Sequence, residues 1–496
     1  MMKSSVDVCP QFKYMGLCVL LAAVIAFVFP FVTMAQDRNS QSGDQGVEVA
    51  KSDPAKVPGT NQAGAYPTST PTTAQAGTYP TKESGSSSQQ PTLQTTQGPV
   101  KVGVYGTLLL NLSASDSTVA GGDVPLWAAG GVGNVTFPDG SVGRTHDLYI
   151  TARQTIIGFK IDPSSPTTGA WSPSAVVEMD FFGSRPNDTL LPDDKVFNEP
   201  RLRLAYFQLA NGNWKIVAGQ DNAIIAPLDP ISLSHVGVPL GATAGNLWAR
   251  LPQLRVEKMQ NIGEKTSALF QFGILRPEFG DRRLSDTPAA GNSLDTASAG
   301  TRSSMPFYQA RAALSHPMFG TTATIGAGVH YGREVIGVSR GRDSWAFALD
   351  FHVPLQTRVI LRGEAYAGSN LIPFMGGVDQ GVSAIPAAQP FTRINKIGDA
   401  GGWGELTFRL TTDDKNHFYV GAGTDDPVRH DLLQGSTFAR NTFYWASYFH
   451  RMSNHVTLAL EWSNWQFRTV TFTGNTSGKG PYSRANVFST AFAYSF

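Results

Sequence analysis

From Val100 to the last residue, Phe496, apolar and polar residues alternate with a period of two. The stretch contains no run of about eighteen apolar residues, the length a membrane-spanning helix needs. Period two puts successive side chains on opposite faces of an extended strand. In the first segment Val100, Val102, Val104, Leu108, Leu110 and Leu112 alternate with Lys101, Tyr105, Thr107, Asn111 and Ser113. The pattern predicts strands near residues 100–113, 146–161, 174–183, 200–210, 213–222, 250–258, 266–275 and 305–316. Further strands are predicted near 320–333, 343–353, 356–367, 402–411, 416–424, 438–450, 454–468 and 484–496. Short breaks and longer polar loops alternate between them. About sixteen strands so arranged give an all-β fold class, a transmembrane antiparallel β-barrel.

A soluble barrel would bury its apolar face and a membrane barrel would expose it, so the residues opposite the apolar ones matter. Glu178 and Asp180 stand opposite Val177, Met179 and Phe181; Gln253, Arg255 and Glu257 stand opposite Leu254 and Val256. Arg362 and Glu364 flank a similar pattern, as do Glu405, Arg409 and Glu461. A wide wet lumen accommodates such mid-strand charges. Trp403, Phe443, Tyr444, Trp445, Tyr448, Phe449, Trp462 and Trp465 cluster towards strand ends, as interfacial aromatic girdles require. The chain ends at Phe496 with Phe488, Phe492 and Tyr494 on one face and Ser489, Ala491, Ala493 and Ser495 on the other.

The segment before the barrel has a different character. Residues 1–35 carry Lys3 and Lys13, an apolar run from Met15 to Val32, and a small-residue exit ending at Ala35, the pattern of a cleaved signal peptide. Cys9 and Cys18 are the chain's two cysteines, so no disulfide or thiolate metal site is expected downstream. Residues 36–98 are rich in Ser, Thr, Gln and Pro and read as a disordered periplasmic linker leading into a barrel over 99–496. The balance of 39 basic and 38 acidic residues gives no field pointing to nucleic acid, and no nucleic-acid partner is expected.

Val104-Tyr105-Gly106, Val177 to Gly183, and Arg201 to Tyr206 together resemble the Gram-negative outer-membrane porin superfamily. Val217-Ala218-Gly219-Gln220-Asp221 and Leu254-Arg255-Val256 resemble the strands on either side of the constriction loop in its DcaP-like branch, and Gly421 to Pro427 and Ala459 to Trp462 fit too. The resemblance covers residues 100–496; that branch often carries a coiled coil before the barrel, and residues 36–98 show no heptads. It implies a porin in the cell outer membrane, surrounded by lipid, passing small hydrophilic solutes and assembled as a homotrimer. Phe492, Tyr494 and Phe496 resemble the terminal signal read by the barrel assembly machinery.

Between the fifth and sixth strands, Asn222 to Trp248 mixes prolines and glycines with apolar residues and is too apolar for a solvated external loop. By resemblance it folds into the lumen and brings Asp221 or Asp229 opposite Arg153, Arg201, Arg203 and Arg255. Opposed charges of this kind make a transverse field. The candidate pore-lining set is completed by Glu178, Asp180, Glu257, Arg362, Glu364, Glu405 and Arg409, with Arg201 and Arg203 tilting the preference towards anions.

No nucleophile elbow, zinc-binding helix, complete phosphate loop or calcium loop is present, so no enzyme, cofactor or metal is expected. The acidic pairs Asp413-Asp414 and Asp425-Asp426 read as solvated turns at strand ends. Two other readings stay open: an adhesive or structural barrel with a plugged lumen, binding an outside partner through 289–305 or 370–391, and an outer-membrane hydrolase.

Overall fold

The computed structural model describes residues 93–97, 100–129, 135–136, 142–143, 146–163, 171–183, 198–279, 298–336, 340–385, 393–433, 438–473 and 476–496. The signal peptide and most of the linker read from the sequence lie outside these. Among the described residues sixteen long strands follow one another around a closed antiparallel barrel. They are β1 (Val100–Ser115), β2 (Leu148–Thr151 continuing as Ile156–Pro163), β3 (Ser172–Gly183), β4 (Glu199–Asn211), β5 (Trp214–Asn222), β6 (Arg250–Asn261), β7 (Ser267–Leu275) and β8 (Phe307–Met318). The second half comprises β9 (Thr321–Ile336), β10 (Arg340–Gln356), β11 (Val359–Ser369), β12 (Gly398–Arg409), β13 (Asn416–Pro427), β14 (Phe438–Arg451), β15 (Val456–Thr473) and β16 (Thr476–Ser495). Pairing of β16 with β1, from Thr107 opposite Ser495 to Ser115 opposite Val487, closes the cylinder. Closure leaves no long free edge to recruit another chain.

The faces follow the alternation in the sequence. Leu108, Phe207, Phe272, Leu314, Val329 and Phe488 point outward and are each at least half exposed, whereas Asp180, Glu334 and Asp425 point inward and are fully buried. An apolar exterior around a polar interior is the membrane-barrel arrangement. On β16 the outward row is Phe488, Phe492 and Tyr494, and the inward row is the small residues Ser489, Ala491 and Ala493.

The aromatic girdle corrects the sequence expectation. Tyr444 and Trp462 do face outward, but Trp403, Phe443, Trp445, Phe449 and Trp465 lie on the inner wall and are buried. Phe443 stacks between Trp445 and Trp465 at ring distances of 4.9 and 5.3 Å. Clustering near strand ends was the wrong criterion, because the strand's phase decides the face a ring takes. A lateral exterior row is instead supplied by Tyr308, Tyr331 and Trp345, which stand opposite one another across β8, β9 and β10.

Within the segment read as linker, Leu93–Gln97 forms a short strand that pairs back on Val100–Val104 of β1. The reason is geometric: β16 covers β1 only from Thr107 onward, so the start of β1 would otherwise present unpaired backbone groups.

Candidate functional site

Two local irregularities aim polar side chains into the barrel. β2 is broken at Ala152–Thr155, and this turn projects Arg153 and Gln154 inward. β4 carries register shifts against β3 on both sides of Arg201 and Leu202, so that Arg203 is an extra residue between Leu202 and Leu204. Bulges of this kind re-aim a side chain out of the regular ladder. Arg201 Nε donates to Asp180 Oδ1 at 2.9 Å, while Arg203 donates from Nε to Glu178 Oε1 at 2.6 Å and from Nη1 to Asp180 Oδ2 at 3.0 Å. Arg153 pairs with Asp123 and lies over the Phe182 ring, 4.1 Å from its centroid.

The ion pairs continue along the wall. Arg255 binds Asp221 at 2.8 Å and Glu257 at 2.6 Å, and Arg311 grips Asp350 with two bonds of 2.8 and 2.6 Å. Bidentate, charge-assisted pairing of this type fixes the guanidinium plane. Asp221 is itself a wall residue of β5, and its pairing with Arg255 is a contact between neighbouring strands.

The charge balance differs on the other side. Glu364, Glu405, Glu461, Asp399 and Asp425 line β11 to β15, and the buried arginine among the described residues there is Arg362, which reaches Glu405 at 3.3 Å. One half of the inner wall therefore holds arginines paired with carboxylates of the same half, and the other half carries carboxyl groups with few arginines beside them. Arg409 stands apart at the rim of short turns, half-buried, 4.0 Å from Asp414.

Residues 223–249 run inside the barrel and bridge these two halves with their own backbone. The amides of Leu228 and Ile231 donate to Glu364 and Glu405 at 2.6 and 2.8 Å. The carbonyls of Val236 and Gly237 accept from Arg203 and Arg201 at 3.2 and 2.8 Å. Gln154 accepts from the amides of Val236 and Gly237 and donates to the Ser234 carbonyl, and Gln309 accepts from the Ile224 amide. These contacts satisfy backbone groups that burial would otherwise leave unpaired. Apolar residues complete the seat: Ile224, Ile225, Leu233, Val236, Val238, Leu240, Leu247 and Trp248 are all buried. Gly245 has φ +111°, and a Cβ there would lie 2.3 Å from the Gly402 carbonyl oxygen, so the backbone can approach the wall this closely because the residue is glycine.

The segment carries two titratable groups. Asp229 accepts from Asn246 at 2.9 Å rather than from an arginine, and burial pushes its carboxyl up to about 6. His235 is buried 4.0 Å from Glu461, and burial pulls its imidazole down to about 3, so it is neutral at ordinary pH.

Sequence reasoning missed Arg250, the first residue of β6. Its side chain is buried, both Nη atoms lack a hydrogen-bond partner, and the guanidinium lies 5.8 Å from the Trp248 ring centroid. Strict alternation puts Arg250 in phase with the outward Leu254 and Val256, where a charge would face lipid. That conflict is the signal that could have found it. Asp425 is a second difference: it is fully buried rather than a solvated turn residue.

No family model matches the chain, and no curated protein matches it. Among solved structures it is similar to the outer membrane channel DcaP of Acinetobacter baumannii, with 16% identity, TM-score 0.55, and 81% of this chain and 99% of that chain covered. It is also similar to the anion-selective porin from Comamonas acidovorans, with 11% identity, TM-score 0.47, and 80% and 100% coverage. A third likeness is to Salmonella typhi OmpF in complex with daunomycin, with 10% identity, TM-score 0.47, and 82% and 100% coverage. The likeness to DcaP is one of fold, a closed sixteen-strand antiparallel barrel.

Proposed function

We propose that this protein is an outer-membrane porin that passes small hydrophilic solutes, with a preference for anions, through a lumen narrowed by residues 223–249. The observation that carries the reading is the two-sided inner wall with that segment between its halves. Arginine–carboxylate pairs on one side and a carboxyl-rich wall on the other make the field across the passage asymmetric, which orients dipolar solutes. Arg250 and Arg201 tilt the balance to anions, since both Nη atoms of Arg250 and Nη1 of Arg201 are buried donors without a protein acceptor. A guanidinium cannot discharge itself by losing a proton, so its positive charge acts through space on a passing carboxylate or phosphate. The pore-lining set is then Arg153, Glu178, Asp180, Arg201, Arg203, Asp221, Asp229, Arg250, Arg255, Glu257, Arg362, Glu364 and Glu405. Homotrimer assembly, a periplasmic linker and recognition of the Phe492, Tyr494 and Phe496 end by the assembly machinery belong to the same reading.

The deep burial of residues 223–249 favours one competitor, a plugged barrel of structural or adhesive role. Single-channel recording in planar bilayers under a salt gradient separates the two. Stepwise conductance with an anion-selective reversal potential is expected of the wild type. The double variant Arg201→Ala, Arg203→Ala and the single variant Arg250→Ala should each move that potential towards cations. Folded barrels that insert without conducting would sink the channel reading.

A further inference from the structure

We propose that Arg250, Trp248 and Arg201 form a closed binding site for a small inorganic anion of the chloride type, which fastens the end of residues 223–249 to the inner wall. Trp248 is the last but one residue of that segment and Arg250 opens β6, so the donors sit where the segment rejoins the barrel. Both side chains are buried, at 1% and 2% exposure. Phe182 of β3 and Trp248 belong to one packed apolar cluster with Val124, Val238 and Ala242. Three guanidiniums gather on these two rings: Arg153 and Arg201 lie 4.1 and 5.0 Å from the Phe182 centroid, and Arg250 lies 5.8 Å from that of Trp248.

What these groups lack is an acceptor. Nη1 and Nη2 of Arg250, Nε1 of Trp248 and Nη1 of Arg201 are buried without a hydrogen-bond partner. All four are donors and none can accept. Unmet donors of this kind are rare, because burial makes each one costly. The carboxylates nearby are already taken: Asp123 by Arg153, Asp180 by Arg201 and Arg203, and Glu178 by Arg203. Arg250 enters no ion pair among the described residues and feels Asp180 and Glu178 at longer range, against the like charges of Arg201 and Arg203. Asp229 also acts from a distance, its bond going to Asn246.

A buried guanidinium without a counter-charge is strongly unfavourable, and arginine cannot shed its proton. A water molecule would accept from these donors and leave the charge uncompensated. An anion meets both demands. Enclosure selects a bare inorganic ion over one that carries an organic tail, so the site holds a resident ion rather than a solute in transit. The inference stands apart from the channel reading, since its test reads binding and not conduction.

Chloride is the probe, with gluconate, a bulky organic anion, replacing it at constant ionic strength. The purified, folded protein in detergent should show a thermal unfolding midpoint that rises with chloride and saturates, and that stays flat in gluconate. Crystals grown in bromide should give an anomalous peak between Arg250 and Trp248. Arg250→Met keeps an apolar stem, removes the charge and should abolish the chloride response. Trp248→Phe keeps a ring and removes one donor, and should weaken the apparent affinity for chloride severalfold while the barrel still folds. A wild-type midpoint indifferent to chloride overturns the proposal and leaves Arg250 to the distant charge of Asp229. So does a chloride response that both variants retain in full, which would place the ion elsewhere. Bromide found only at other positions overturns it equally.

Discussion

Asp229 is the carboxyl group that residues 223–249 carry, and its environment makes it report on pH. Burial raises it from the ordinary 3.8 to about 6, so between these values the folded protein holds a proton that the unfolded chain has released. Its contribution to stability is therefore full at low pH, falls as pH rises through that window, and levels off above it. Thermal melts of the wild type should show this decline between about pH 4 and pH 6, and Asp229→Asn should flatten it. Once ionised, Asp229 adds a negative charge near Arg203, Arg250 and Arg362, so anion preference should weaken as pH passes about 6, and Asp229→Asn should hold it constant in reversal-potential measurements. Gly245 gives a prediction of another kind. Gly245→Val forces a β-branched residue into positive φ against the Gly402 carbonyl, and should destabilise the seat of the inward segment by about 1–3 kcal/mol, read as a lower melting midpoint.

At the scale of elements, the strands were legible because each alternates an apolar row with a polar one; β5 and β13 begin within a residue of where periodicity puts them. The inward segment was legible too, since so many prolines and leucines around a single carboxyl group, Asp229, have little place in a solvated loop. What periodicity cannot carry is a change of phase. The bulge that aims Arg203, the turn that aims Gln154, and the loop-to-strand junction that turns Arg250 inward all break the alternation, and each is decided by tertiary contacts. The inner-wall aromatics show the same limit, because Phe443 and Tyr444 are neighbours in sequence and lie on opposite faces. The segment's hold on the acidic half of the wall can be tested directly. Glu364→Ala with Glu405→Ala strands the amides of Leu228 and Ile231, at about 1–3 kcal/mol for each buried donor left unpaired. Larger single-channel conductance and faster proteolytic nicking within residues 223–249 are expected; a conductance identical to the wild type would mean that the carboxyl groups do not hold the segment.

For the molecule as a whole, the last residue matters as much as the first strand. Phe496 exchanges two backbone bonds of 3.1 Å with Gly106, so the barrel is zipped to its final residue. Deleting Phe496 should lower the yield of heat-modifiable, folded barrel on gels. The bridging segment has a further consequence, for the order of folding. Its partners run from Leu126 to Glu461, most of the length of the barrel sequence. Half of them do not exist as a surface until the last strands have been laid down. The segment cannot find its seat on a partly built sheet, nor can it be threaded easily into a cylinder already sealed. Its docking and the meeting of β16 with β1 should therefore be one event, a late step of high contact order in which the barrel closes around its own crosspiece.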